Sequence, residues 1–165
     1  MLILGIDPGL AIVGYSLVSN SGNEFKVLNY GVIRTSAELD DIERLKIIYN
    51  DIIELIEEYQ PDHMAVEELF INKNMKTAIK VGQARGVIIL AGCKSNLEVF
   101  EYTPLQVKQA VTGYGRANKS QVQEMVKSLL NLRKIPRPDD AADALAVSVC
   151  HGHSYYSGQK WRNSI

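Results

Sequence analysis

Residues 2–9 read Leu-Ile-Leu-Gly-Ile-Asp-Pro-Gly, an aliphatic run that ends in one acid and is closed by a turn pair. A short apolar run bounded by Pro and Gly reads as a buried strand. That strand leaves Asp7 at its carboxyl end, which is where ligands bind in open α/β sheets. A carboxylate there is costly unless it is paired, hydrogen-bonded or bound to a metal. On this stretch alone, a plain turn cap by the Asp7 side chain is an equally good reading.

Working outward, Val13 to Ser19 and Phe25 to Arg34 read as two more strands, joined by a hairpin turn at Ser21-Gly22-Asn23. Leu39 to Tyr59 has helical periodicity. Leu45, Ile48, Ile52, Leu55, Ile56 and Tyr59 form one stripe, with Asp51, Glu54, Glu57 and Glu58 mainly off it. Pro61 ends that helix. His63 to Leu69 is a second short buried strand ending in acid. Met75 to Leu90 reads as a helix with Met75, Ala78, Ile79, Gly82, Gly86 and Ile89 on one face. Leu97 to Tyr102 is a strand, and Pro104 opens a short helix. The pair Ser120 and Gln123 suggests a capping box for a helix running to about Leu132. Asp139 to Cys150 is an Ala-rich last helix, and residues 154–165 are expected to be a frayed polar tail. Three meandering strands followed by crossover helices imply an α/β fold, a mixed sheet with helices on both faces. One domain over residues 1–153 accounts for the pattern.

The chain has 165 residues, 46% hydrophobic and 22% charged, enough for a real core. No apolar run could span a bilayer, and no basic-then-apolar leader opens the chain. A cytoplasmic protein with no membrane partner is expected. Cys93 and Cys150 fit no metal spacing and read as buried, reduced thiols. The net charge of −1 conceals an asymmetry. Residues 1–71 carry 4 Lys and Arg against 13 Asp and Glu, while residues 72–137 carry 12 against 3. A basic middle third suggests a polyanion-binding surface.

The acids form the constellation that matters. Asp7 ends the first strand, Glu67 and Glu68 sit in the fourth, and Asp140 and Asp143 share one face of the last helix at i, i+3. Ala141, Ala142, Ala144 and Ala146 keep that helix slim. Neighbouring strands would aim these carboxylates at one point. Their repulsion is relieved by hard divalent cations, and such a cluster suits two-metal phosphodiester chemistry. Spacing alone does not choose Glu67 over Glu68, or Asp140 over Asp139.

Several motifs then align in order: Gly5-Ile-Asp7-Pro-Gly9 with Gly14-Tyr15, Ala65-Val-Glu67-Glu-Leu-Phe70, Gly82-Gln-Ala-Arg-Gly86, Val107-Lys108-Gln109, Asn118-Lys-Ser-Gln-Val-Gln123, and Asp140-Ala-Ala-Asp143-Ala-Leu-Ala. Over residues 1–153 the chain resembles the RuvC family of Holliday junction resolvases. The resemblance implies a ribonuclease-H-like fold with five strands, a homodimer, and Mg²⁺, two ions per site, with Mn²⁺ able to substitute. It implies Asp7, Glu67, Asp140 and Asp143 as metal ligands. Asp139 is an extra acidic neighbour there. The implied reaction is hydrolysis of a DNA phosphodiester at a four-way junction, with one ion activating water and the other stabilising the leaving 3′ oxygen. Paired symmetric nicks and a branch-migration helicase partner go with it.

Lys119 matches a family lysine beside the active site, suited to stabilising charge on the scissile phosphate. Lys108 resembles a phosphate contact, and Phe70 a residue that stacks on an unpaired base. Lys73, Lys76 and Lys80 are expected to track DNA backbone, with Arg116 and Arg85 as weaker candidates. Each of these could equally be an ordinary core or solvated residue. The Gly82–Gly86 face is the expected dimer contact, its alternative being packing on its own sheet. Among other readings, the sugar-kinase and actin-like ATPases need a Gly-rich phosphate loop that Pro8 to Gly14 does not supply. YqgF-like nucleases favour an Arg after the first Asp, absent here. A non-catalytic junction-binding module would not need the full carboxylate set. Tyrosine recombinase chemistry lacks a supporting Arg/His constellation.

Overall fold

The strand that ends in Asp7, β1 (Leu2–Asp7), is the central strand of a five-stranded mixed sheet. On one side lie its antiparallel neighbour β2 (Ile12–Ser21) and then β3 (Glu24–Arg34); on the other lie its parallel neighbour β4 (His63–Glu67) and then β5 (Glu98–Tyr102). The computed structural model describes residues 1–22, 24–69 and 75–162, with side chains as far as 155. The helices are α1 (Asp41–Tyr59), α2 (Met75–Lys94), α3 (Pro104–Thr112), α4 (Lys119–Leu129) and α5 (Asp139–Arg162).

The side-chain alternation of the central strands divides the core in two. Ile3, Val18 and Ala65 pack under α3, α4 and α5, against Val107, Val126, Leu145 and Val149. Leu4, Ile6, Leu17, Met64 and Val66 pack on the other face, against Ile48, Ile52 and Ile56 of α1 and Ala84 and Ile88 of α2. The expected stripe of α1 is therefore its buried face. Asp40 caps that helix by accepting from the backbone N–H of Glu43 at 2.8 Å.

Three expectations need correction. The α4 capping box is Asn118 with Gln121, not Ser120 with Gln123. An Asn side chain accepts directly from the Gln121 N–H, and the Ser120 hydroxyl donates to that same Asn118 oxygen at 2.7 Å. On α2, Ala84, Ile88, Ala91 and Gly92 are buried against the sheet, while Met75, Ile79, Gly86 and Leu90 are exposed, so the Gly82–Gly86 face does not pack on its own sheet. Helix α5 runs on to Arg162, past the end expected at Cys150, and the Tyr155 ring lies 4.7 Å from that of His63. Cys150 is buried as expected, but Cys93 is exposed; both thiols are free.

A buried polar chain crosses the α5 layer. His63 Nδ1 and His151 Nε2 are 2.9 Å apart, and Tyr102 Oη lies 2.8 Å from His151 Nδ1. One consistent proton order runs from the Tyr102 hydroxyl to His151 and from His151 to His63. Burial first, then the nearby His63, pushes His151 down to about 4. The unfolded chain therefore takes up a proton that the folded chain refuses between about pH 6.5 and 4. His151 contributes its full stability above that window and loses about 1–3 kcal/mol of it as the pH falls through it. In urea denaturation, the stability difference between wild type and His151→Gln should narrow by that amount from pH 7.5 to 4. A constant difference would exclude a buried neutral His151.

Candidate active site

Two glycines bring the acidic helix onto the acidic strand. On β1, Ile3, Gly5 and Asp7 alternate onto the α5 face. A Cβ on Gly5 would lie 2.6 Å from the Ala144 carbonyl oxygen, and one on Gly14 would lie 2.0 Å from that of Asp140. Only bare backbone at these points lets the first turns of α5 rest on β1 and β2. The Ser16 hydroxyl, which donates to the Ala144 carbonyl at 2.9 Å and lies 2.8 Å from Ser148 Oγ, fixes that contact further along. Ala141, Ala142, Ala144 and Ala146 are fully buried beneath it.

The same alternation separates Glu67 from Glu68. Ala65 packs on the α5 side of β4 and Met64 and Val66 on the other. Glu67 therefore projects toward α5, beside Asp7 on the adjacent parallel strand. Glu68 lies past the end of β4, its backbone N–H bonded to the Tyr102 carbonyl at 2.8 Å. Glu67 and Asp143 line one cleft of about 220 Å³ together with Lys108, Lys119, Pro104, Val107, Val122 and Ala146. Asp140, almost one turn earlier on α5, lines a second cleft with Gly9 to Ile12.

The acids behave as one electrostatic unit. Burial, then the charges of Glu67, Asp143 and Asp140, raises Asp7 to about 8, against some relief from Lys119. Burial and Asp143 raise Glu67 to about 7, opposed by Lys108, a hydrogen bond with Asp7, and Lys119. Asp143 is also raised, by burial first, although its bond from Lys119 opposes the rise. Carboxylates this unwilling to ionise together call for a cation, and oxygen donors select a hard one. Among the described residues no three acidic or histidine side chains close into a metal cage of their own. They ring an opening instead, which fits an ion that keeps water and substrate phosphate oxygens among its ligands.

Lys119, the first residue of α4, donates to Asp143 Oδ2 at 3.1 Å and lies 3.4 Å from Asp139 Oδ2. Asp139 also accepts from Gln123 at 3.1 Å and from Arg137. Burial alone would raise Asp139, but Gln123, Lys119 and Arg137 together hold it below the usual carboxylate range. Asp139 is thus occupied on the Lys119 side, where it holds the lysine. Sequence reasoning left its role open because Gln123 and Arg137 become its neighbours only once α4 packs on α5.

The other expected contacts divide. Lys108 is in the first cleft and Lys80 in the second. Lys76 and Arg116 are exposed and line neither. Arg85 pairs with Glu101, tying α2 to β5. Phe70 and Lys73 lie outside the described residues.

Known proteins share this arrangement. A family profile described as "Crossover junction endodeoxyribonuclease RuvC" matches residues 3–151. A protein of that name from Halothermothrix orenii is 64% identical over 98% of both chains. One from Alkaliphilus oremlandii is 61% identical, covering 93% of this chain and 94% of its own. The solved structure "T. thermophilus RuvC in complex with Holliday junction substrate" superposes with a TM-score of 0.91 at 35% identity, covering 96% of each chain.

Proposed function

This chain belongs to the RuvC family of crossover junction endodeoxyribonucleases, and from that membership we propose how its residues resolve a four-way DNA junction. The family's nucleases are metal-dependent, and the fold is ribonuclease-H-like. The observation that carries the reading is the convergence of Asp7, Glu67, Asp140 and Asp143 from three elements, with Lys108 and Lys119 on the cleft beside them.

Asp7, Glu67, Asp140 and Asp143 are the groups that would hold two Mg²⁺ ions, with Mn²⁺ able to replace them. When bound, the ions supply an activated water and charge stabilisation at the leaving 3′ oxygen. The chain's own part is electrostatic and positional. Asp7 and Glu67, both held above the usual carboxylate range, would have to be ionised to hold the ions, so binding would be coupled to proton release. Lys119 must leave Asp143, and its ammonium is then placed to meet charge growing on the scissile phosphate. Lys108 neutralises the same side.

The protein acts as a homodimer whose two sites nick strands of like polarity. Met75, Ile79, Gly86 and Leu90 fall on one exposed stripe of α2, and a Cβ on Gly86 would meet nothing within 4 Å, so a second α2 has room to approach there. A branch-migration helicase as partner and a cytoplasmic location complete the reading. No described helix is long and apolar enough to cross a membrane.

A synthetic four-way junction with Mg²⁺ tests the function. Paired, symmetric, ligatable nicks are expected. Preferential cutting of RNA, or cutting independent of added divalent ions, would overturn it. Elution only as a monomer at micromolar concentration would overturn the dimer.

A further inference from the structure

Two clefts flank the carboxylates, and only one has a role so far. The second, of about 380 Å³, is lined by the Gly9–Ile12 turn, Arg44, Thr77, Lys80, Val81 and Asp140. Asp140 and Asp143 are one helical step apart, so a strand passing over both would leave the first cleft and enter the second.

The second cleft contains an arranged cation. Arg44, in the first turn of α1, has a side chain only 12% exposed. Its Nε donates to Thr35 Oγ1 at 2.8 Å, and the Thr35 hydroxyl donates to the Leu10 carbonyl at 2.6 Å. The Thr35 N–H bonds the Ala11 carbonyl at 3.1 Å. The guanidinium is therefore built onto the turn that follows Asp7. Arg44 Nη1 keeps an ion pair with Asp41 Oδ1 at 3.9 Å, too long for a hydrogen bond, so the fork still has donors to offer the cleft. Asp41 is taken up by Lys80, whose Nζ lies 2.8 and 3.1 Å from its two oxygens. Two cations share one acid, so the cleft is cationic wherever Asp140 is neutralised. A planar fork of donors in such a place matches the two free oxygens of a phosphodiester.

We propose that this cleft seats a phosphodiester of the cleaved strand, next along the chain from the scissile one on the Asp140 side, and that the Arg44 fork grips it. The proposal rests on the junction-cleaving reading above. Thr35 is a positioning residue, since it acts through Arg44. The contact gives the strand a second fixed point, opposite Lys108 and Lys119, and so sets which phosphate lies over the acids.

The test replaces one phosphate at a time, on either side of the scissile bond, by a neutral methylphosphonate in a four-way junction with Mg²⁺. At one position on one side, single-turnover cleavage by wild type should fall on the order of 10-fold, the worth of a lost charge-assisted contact. Arg44→Met should lose a similar factor on the unmodified junction and lose nothing more at that position. Arg44→Lys, which keeps the charge and stem but not the fork, should lie between them, and it carries the same comparison if the Met variant does not fold. Losses that multiply at every position, or an Arg44→Met enzyme as fast as wild type, overturn the proposal while leaving the nuclease reading intact. A wild-type protein that leaves the unmodified junction uncut overturns both.

Discussion

Asp7→Asn is expected to bind a four-way junction and leave it uncut, with cleavage down by at least about 10²–10³-fold, while the metal-free protein becomes more stable. The two effects share one cause. Asp7 sits where burial and three other acids raise it to about 8. A carboxyl whose folded value lies above its unfolded one stabilises the fold at low pH and loses that contribution as the pH rises through the folded value. Near pH 8 wild type therefore carries charge that the fold resists, and Asn removes it. A gain of roughly 1 kcal/mol or more, about 2–4 °C in Tm for a domain this size, is expected at pH 8 without divalent ions, fading toward pH 4. Calorimetry with and without Mg²⁺ reads this directly. A variant less stable than wild type at pH 8 would mean that Asp7 makes a structural bond the carboxylate cluster does not explain.

Gly14→Ala should cut cleavage by about 100-fold without changing an acid. The added methyl would stand 2.0 Å from the Asp140 carbonyl oxygen, which belongs to helix backbone and has no rotamer by which to move aside. Either β2 or the start of α5 must shift, at a cost of about 1–3 kcal/mol or more. Asp140 and Asp143 then move away from Asp7. The expected signature is a folded protein with lowered Tm, junction binding largely kept, and cleavage down on the order of 10²-fold, since misplacing reacting groups by about 1 Å costs that much. Normal cleavage by this variant would show that α5 does not need this contact to place its acids.

The parts of this site readable in the chain were those set by local chemistry. An aliphatic run ending in Asp7, a second ending at Glu67, and an Ala-rich helix opening on acids follow from strand and helix periodicity. The choice of Glu67 over Glu68 came only from resemblance. β4 is buried on both faces, so its residues show no apolar–polar alternation from which to read direction. On α2 the sequence offered two apolar faces, Ala84, Ile88 and Ala91 on one and Met75, Ile79 and Leu90 on the other, and only docking of the helix decides which one the sheet covers. The roles of Asp139 and Arg44 were illegible because their partners, Gln123 and Thr35, are set by how whole elements dock. The pairing of His63 with His151 spans 88 residues and leaves no local trace.

The site's acids also arrive in a particular order during synthesis. Asp7 and Glu67 are made early, on strands that pair side by side, but Asp140 and Asp143 belong to the last helix, which also closes one whole face of the sheet over β1 and β2. A ribosome-bound chain that has not released α5 has neither a complete core on that face nor all four acids. On the proposed assignment, a chain interrupted before residue 139 is expected to leave DNA uncut.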